Sequence, residues 1–166
     1  MRVVLTEAPT ILDIEASGFG SSSYPIEIGL VRGDGLRYWE LIKPFDNWTF
    51  WHKSAEMVHG ISREVLRHNG TNGVHICLEL NKLLKGQQVY SDGWVVDSSW
   101  LNTLYSRSSV EMEFSLSPLE MIMKESQMKI WHDTKEMVMK EMCLQAHRAI
   151  NDALIIQQTF LKSRIL

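Results

Sequence analysis

This chain of 166 residues has two cysteines and a formal net charge of −3. It has no long apolar run and no low-complexity tract, and each of these shortages excludes something. Cys77 and Cys143 lie in apolar, helical-looking segments without metal-like neighbour spacing, so they read as reduced core residues rather than a disulfide. No stretch approaches the ~20 apolar residues that cross a membrane. Met1–Thr10 lacks the apolar core of a signal peptide, and the expected location is cytoplasmic. The charge balance excludes an overall basic field for tight, non-specific duplex binding, though not a local basic groove. With no repeat or linker, the expectation is one domain over residues 1–166, long enough for a proper core.

The pattern along the chain is that of an α/β protein. Thr10–Ala16 and Pro25–Val31 read as strands. Gly33-Asp34-Gly35 is a tight turn into a third, Leu36–Ile42, so three antiparallel strands open the domain. Pro44–Trp51 is irregular and aromatic, and a short helix is expected over Ser54–Val58. Ser62-Arg63-Glu64-Val65 is a capped helix start. Val74–Lys85 has Ile76, Leu80, Leu83 and Leu84 on one helical face, and Gly86 stops it. A short strand at Gln88–Ser91 precedes a helix expected to begin at Asp97. Val110–Leu116 alternates like a strand. Pro118 opens a helical, Met-rich stretch to about Met142, and a last helix covers Arg148–Leu161. Strands that begin as a hairpin and continue through β-α crossovers imply a mixed central sheet with helices on both faces.

Chemistry concentrates in three places. In Ile11-Leu12-Asp13-Ile14-Glu15-Ala16-Ser17-Gly18, two acids occupy alternate positions of an apolar run, so both carboxylates leave the strand on one face. Burying two unpaired anions is costly, whereas a divalent cation between them suits hard oxygen ligands. The alternative is a strand end with two solvated acids. Asp97 stands before a helix, as an N-cap or a metal ligand. In His147-Arg148-Ala149-Ile150-Asn151-Asp152-Ala153, the His and Asp can point at one site if His147 lies in the loop and Asp152 in the first turns. Ala149 and Ala153, four apart, let that helix approach the sheet closely.

Taken in order, D-x-E, D and H-x-x-x-x-D resemble the DEDDh 3′–5′ exonucleases, which have a ribonuclease H-like fold and include the polymerase proofreading subunit, ribonuclease T and oligoribonuclease. His59-Gly60-Ile61-Ser62 resembles a turn common in that family, and the resemblance runs from about Ile11 to Phe160. There are departures. Ala16-Ser17 replaces the usual Thr-Thr, and Gly93 and Val96 stand where the second motif usually has Asn and Phe.

The resemblance implies that Asp13, Glu15, Asp97 and Asp152 hold two Mg2+ or Mn2+ ions per site, and that His147 is the general base. Two such ions about 3.5–4 Å apart bind the attacking and leaving oxygens of a phosphodiester. It further implies that Ala16, Ser17, Gly18 and Phe19 hold the terminal nucleotide, with Phe19 wedged on the last base. The alternative for Phe19 is an exposed loop aromatic. His59 reads as structural. Trp48, Trp51 and His52 either line a nucleotide groove or form a satellite core. The Met-rich helix reads as packing or a dimer face. The implied activity is metal-dependent removal of nucleoside 5′-monophosphates from single-stranded DNA or RNA 3′ ends, and homodimerisation is among the implied assemblies. The rivals are a catalytically inactive module on the same fold that binds nucleic acid or protein, and an unrelated α/β metal protein.

Overall fold

Alternation along β1 (Ile11–Ala16) decides the architecture. The computed structural model describes residues 8–166, so most of Met1–Thr10, read above for a signal sequence, lies outside the described residues. Leu12, Ile14 and Ala16 join the larger of two core clusters, and Ile11 joins the smaller one on the opposite face. A period of two puts Asp13 and Glu15 on that second face with Ile11. β2 (Pro25–Val31) runs antiparallel to β1, with Ile11 opposite Val31, Asp13 opposite Gly29 and Glu15 opposite Glu27. β3 (Arg37–Leu41) continues antiparallel, as the glycine-rich turn predicts. β4 (Gln88–Ser91) pairs parallel with β1, and β5 (Ser115–Pro118) pairs parallel with β4. The order β3-β2-β1-β4-β5 makes a mixed sheet with β1 in the middle.

Helices cover both faces. α1 (Lys53–His59), α2 (Arg63–Asn69) and α3 (Gly73–Leu84) follow β3, and α4 (Trp94–Ser108) joins β4 to β5. α3 and α4 supply Ile76, Leu80, Leu101 and Leu104 to the larger cluster. α5 (Glu125–Met142) packs on α6 (Ala149–Ser163), and α6 covers the second face with Ala153, Leu154, Ile156 and Phe160. β2 is therefore buried along its whole length. Ala149 and Ala153 are fully buried, as their spacing predicts. Gly29 completes this close approach, because a Cβ there would lie 2.3 Å from the Ala149 carbonyl carbon and the Ile150 nitrogen.

Four expectations need correction. The helix expected at Asp97 begins at Trp94, with Gly93 as its N-cap. Ser91 Oγ accepts the Gly93 N–H at 3.0 Å and starts the turn early, leaving Asp97 in the first turn rather than at the cap. Val110–Phe114 alternates but is not a strand. Its Glu111 carbonyl and Glu113 N–H bond to the Asn81 side chain of α3, and pairing with β4 begins only at Ser115. After Pro118, a 3-10 turn (Leu119–Ile122) intervenes before α5. Finally, Cys77 is a buried free thiol as expected, but Cys143 is exposed at the left-handed C-cap of α5.

Candidate active site

The sheet and two helix starts bring the three acidic segments together. β1 presents Asp13 and Glu15, the first turn of α4 presents Asp97, and the first turn of α6 presents Asp152. One ligand atom each from Glu15, His147 and Asp152 lies within 4.8 Å of the others. Asp97 is 3% exposed, and its Oδ2 accepts a 2.5 Å hydrogen bond from Ser91 Oγ. Asp13 Oδ2 is sealed from solvent and has no hydrogen-bond partner among the described residues.

Electrostatics follow from this crowding. Burial, then the charges of Asp97, Asp152 and Glu15, push the Asp13 carboxyl well above its ordinary range. Burial and Asp152 push Glu15 up to about 8. Burial also raises Asp97 to about 7, against the opposing hydrogen bond from Ser91. Asp152 is raised by burial, partly offset by the His147 N–H. Four acids that resist ionisation together need protons or cations between them. The orphaned Asp13 oxygen and the all-oxygen carboxylate set fit hard divalent ions.

His147 sits outside the helix in the left-handed region, at φ 63°. Such a backbone is costly for a residue with a Cβ. It is held by its N–H, which donates to both Asp152 oxygens at 3.1 Å. Arg148 follows, with its guanidinium forked on Glu27 of β2, whose side chain is fully buried. Glu27 Oε1 also accepts the Ala149 N–H at 2.7 Å, so a strand carboxylate caps α6 where Arg148 provides no side-chain cap.

A cavity of about 540 Å3 opens over this cluster. Asp13, Glu15, Asp97 and His147 line it, as do Ala16, Gly18 and Phe19 of the segment expected to hold a nucleotide. Ser17 does not face it: it is fully buried, and its N–H donates to the Tyr24 carbonyl. Phe19 is 78% exposed, with its ring centroid 6.2 Å from that of Trp100. Asp152 meets the cluster from beside His147 rather than from the cavity wall.

The aromatic stretch divides between the two roles considered for it. Trp48 is core, stacked on Tyr24, while His52 lines the cavity. His59 also reaches the cavity wall, yet it is 2% exposed and its Nδ1 accepts the Ile61 N–H, in keeping with a structural role. Reading the sequence missed Glu27, Arg148 and Trp100. Glu27 alone left a signal, as an acid inside an otherwise apolar strand. Asp92 ion-pairs with Lys135 of α5 at 2.7 Å and adds its charge to the cluster.

No family model and no curated protein matches the sequence. Solved structures do match. E. coli Exonuclease I in complex with a dA16 oligonucleotide gives a TM-score of 0.70 at 16% identity, covering 96% of this chain and 41% of that one. Its zinc-bound complex with single-stranded DNA gives 0.69 at 16% identity, over 96% and 41%. Apo Exonuclease I gives 0.65 at 15% identity, over 95% and 42%. The fold is ribonuclease H-like. The chain spans about two fifths of the length of these structures.

Proposed function

We propose that this chain is a DEDDh-type exonuclease domain, residues 1–166, which removes nucleoside 5′-monophosphates from free 3′ ends of single-stranded DNA or RNA. The observation that carries the reading is the convergence of Asp13, Glu15, Asp97, His147 and Asp152 on one site beneath a cavity with an aromatic rim. The oligonucleotide complexes of Exonuclease I support single strands as the substrate class. A non-catalytic binding module has no use for four carboxylates gathered on one site, each with its pKa raised mainly by burial.

Asp13, Glu15, Asp97 and Asp152 would hold two divalent ions, Mg2+ or Mn2+, which when bound neutralise charge on the scissile phosphate and on the attacking and leaving oxygens. His147, exposed at the rim, takes a proton from the attacking water at its imidazole. Water oxygen bonds to phosphorus, the bond from phosphorus to the 3′-oxygen of the preceding nucleotide breaks, and that oxygen leaves to be protonated as a new 3′-hydroxyl. Phe19 and Trp100 hold the terminal base by stacking, which tolerates any base. The test is a time course on labelled single-stranded DNA and RNA oligomers with Mg2+ or Mn2+, comparing the native chain with Asp13→Asn and His147→Ala. Stepwise shortening from the 3′ end, abolished in both variants, is the expected result. Binding without cutting would replace the reading with that of a binding module.

A further inference from the structure

A fully buried carboxylate outside the metal-ligand set is the least expected feature of this fold. Glu27 lies directly across from Glu15 and points to the same face of the sheet. It is 0% exposed, and a buried anion is costly unless paired and fully hydrogen-bonded. Among the described residues, its hydrogen-bond partners come from the segment beside the site. Arg148 Nε and Nη2 fork onto it, and the Ala149 N–H donates to it at 2.7 Å. The fork engages both carboxylate oxygens, which fixes orientation as well as charge.

The residue immediately before this fork is His147, in a left-handed conformation that its own side chain does not favour. Asp152 sits in the turn just after it and accepts the His147 N–H. Gly29, two residues along β2, lets this whole segment reach the sheet. One strand carboxylate thus reaches 121 residues along the chain to fasten the junction of loop and α6 that carries His147 and Asp152.

We propose that Glu27 is a positioning residue for the site: through Arg148 and the Ala149 N–H it fastens the start of α6, setting where His147 and Asp152 stand. Its effect on turnover rests on the exonuclease reading above. Its effect on the loop and on divalent binding does not. Removing a group bonded directly to a metal ligand typically costs about 10–100-fold in metal affinity or activity, and Glu27 acts one residue further out, through Arg148 and Ala149.

The experiment compares Glu27→Gln with Leu80→Ala, a cavity variant of α3 in the larger core cluster, which does not line the site cavity. Four quantities are read: the melting temperature, hydrogen exchange over residues 146–152 without metal, Mn2+ affinity by electron paramagnetic resonance, and kcat and KM on a 3′-labelled single strand. Glu27→Gln is expected to exchange faster across that segment and to lose about 10-fold or more in both Mn2+ affinity and kcat, with KM little changed. Leu80→Ala should lower the melting temperature while leaving exchange over residues 146–152, affinity and kcat near native values. If Glu27→Gln fails to fold, Arg148→Lys, which keeps the charge but not the fork, is read in its place. A variant that loses stability yet keeps native exchange and Mn2+ affinity would overturn the proposal. If the native chain cuts nothing, the exonuclease reading fails, and exchange and Mn2+ affinity still decide the role of Glu27.

Discussion

Glu15 and Glu27 stand directly opposite each other on β1 and β2, and of the two only Glu27 is ion-paired among the described residues. The pairing with Arg148 makes Glu27 a structural anion. Glu15 faces Asp152 instead and is pushed up to about 8. Neighbouring carboxylates on one face thus have opposite uses, and the difference is set by the element each one meets.

The pH dependence of stability follows from this. Glu15 at about 8 and Asp97 at about 7 both lie above their ordinary values near 4.5 and 3.8. Between the ordinary and raised values the folded chain holds more protons than the unfolded one, so stability falls as pH rises through that window. Without divalent ions, the melting temperature should decline from about pH 5 to pH 8, and Glu15→Gln should flatten the curve. Added Mn2+ should stabilise more at high pH than at low, because it displaces protons that are then already leaving. Thermal scans in chelator and in Mn2+ check this, and a pH-independent curve in chelator would count against the clustering.

Ser91 controls Asp97. Its hydroxyl donates to Oδ2 at 2.5 Å and opposes the rise that burial causes. Ser91→Ala should push Asp97 above about 7, shifting divalent binding to higher pH. Stability should fall by about 1–3 kcal/mol, the usual cost of losing a bond to a buried polar group. Mn2+ titrations across neutral pH, with urea denaturation, read both effects.

Gly29→Ala tests the approach of α6. The new Cβ would lie 2.3 Å from backbone atoms of Ala149 and Ile150, which have no rotamer to change. The cost should reach about 3 kcal/mol, at the upper end for overpacking, and is measured by urea denaturation. A loss under about 1 kcal/mol would mean that the helix gives way easily.

The contrast between Gly29 and Asp13 shows what sequence reading can reach. Alternation made β1 and its acid pair legible, and the spacing of Ala149 and Ala153 announced a tightly docked helix. Nothing local announced that Glu27 would meet Arg148, because that pairing exists only once β2 and α6 are brought together. The misplaced strand at Val110–Phe114 has a similar cause: its alternation is real, but Asn81 of α3 takes the bonds a sheet neighbour would have made. Asp97 resembled a cap because Gly93, the actual start, carries no capping side chain.

Phe19 separates substrate binding from stability. At 78% exposed, its truncation to Ala should change stability by less than about 0.5 kcal/mol. Stacking on a base is worth about 1–3 kcal/mol, so KM for a single strand should rise about 5-fold or more. Steady-state kinetics on native and Phe19→Ala proteins measure the split between KM and kcat.

The most direct measurement follows a single-stranded oligomer labelled on its last phosphate, with Mg2+ or Mn2+ and a chelator control. The account predicts that label appears at once as a nucleoside 5′-monophosphate, that a strand lacking a free 3′-hydroxyl resists, and that Asp13→Asn and chelator stop the reaction. Release of longer labelled fragments first, or cleavage undiminished in Asp13→Asn, would contradict it.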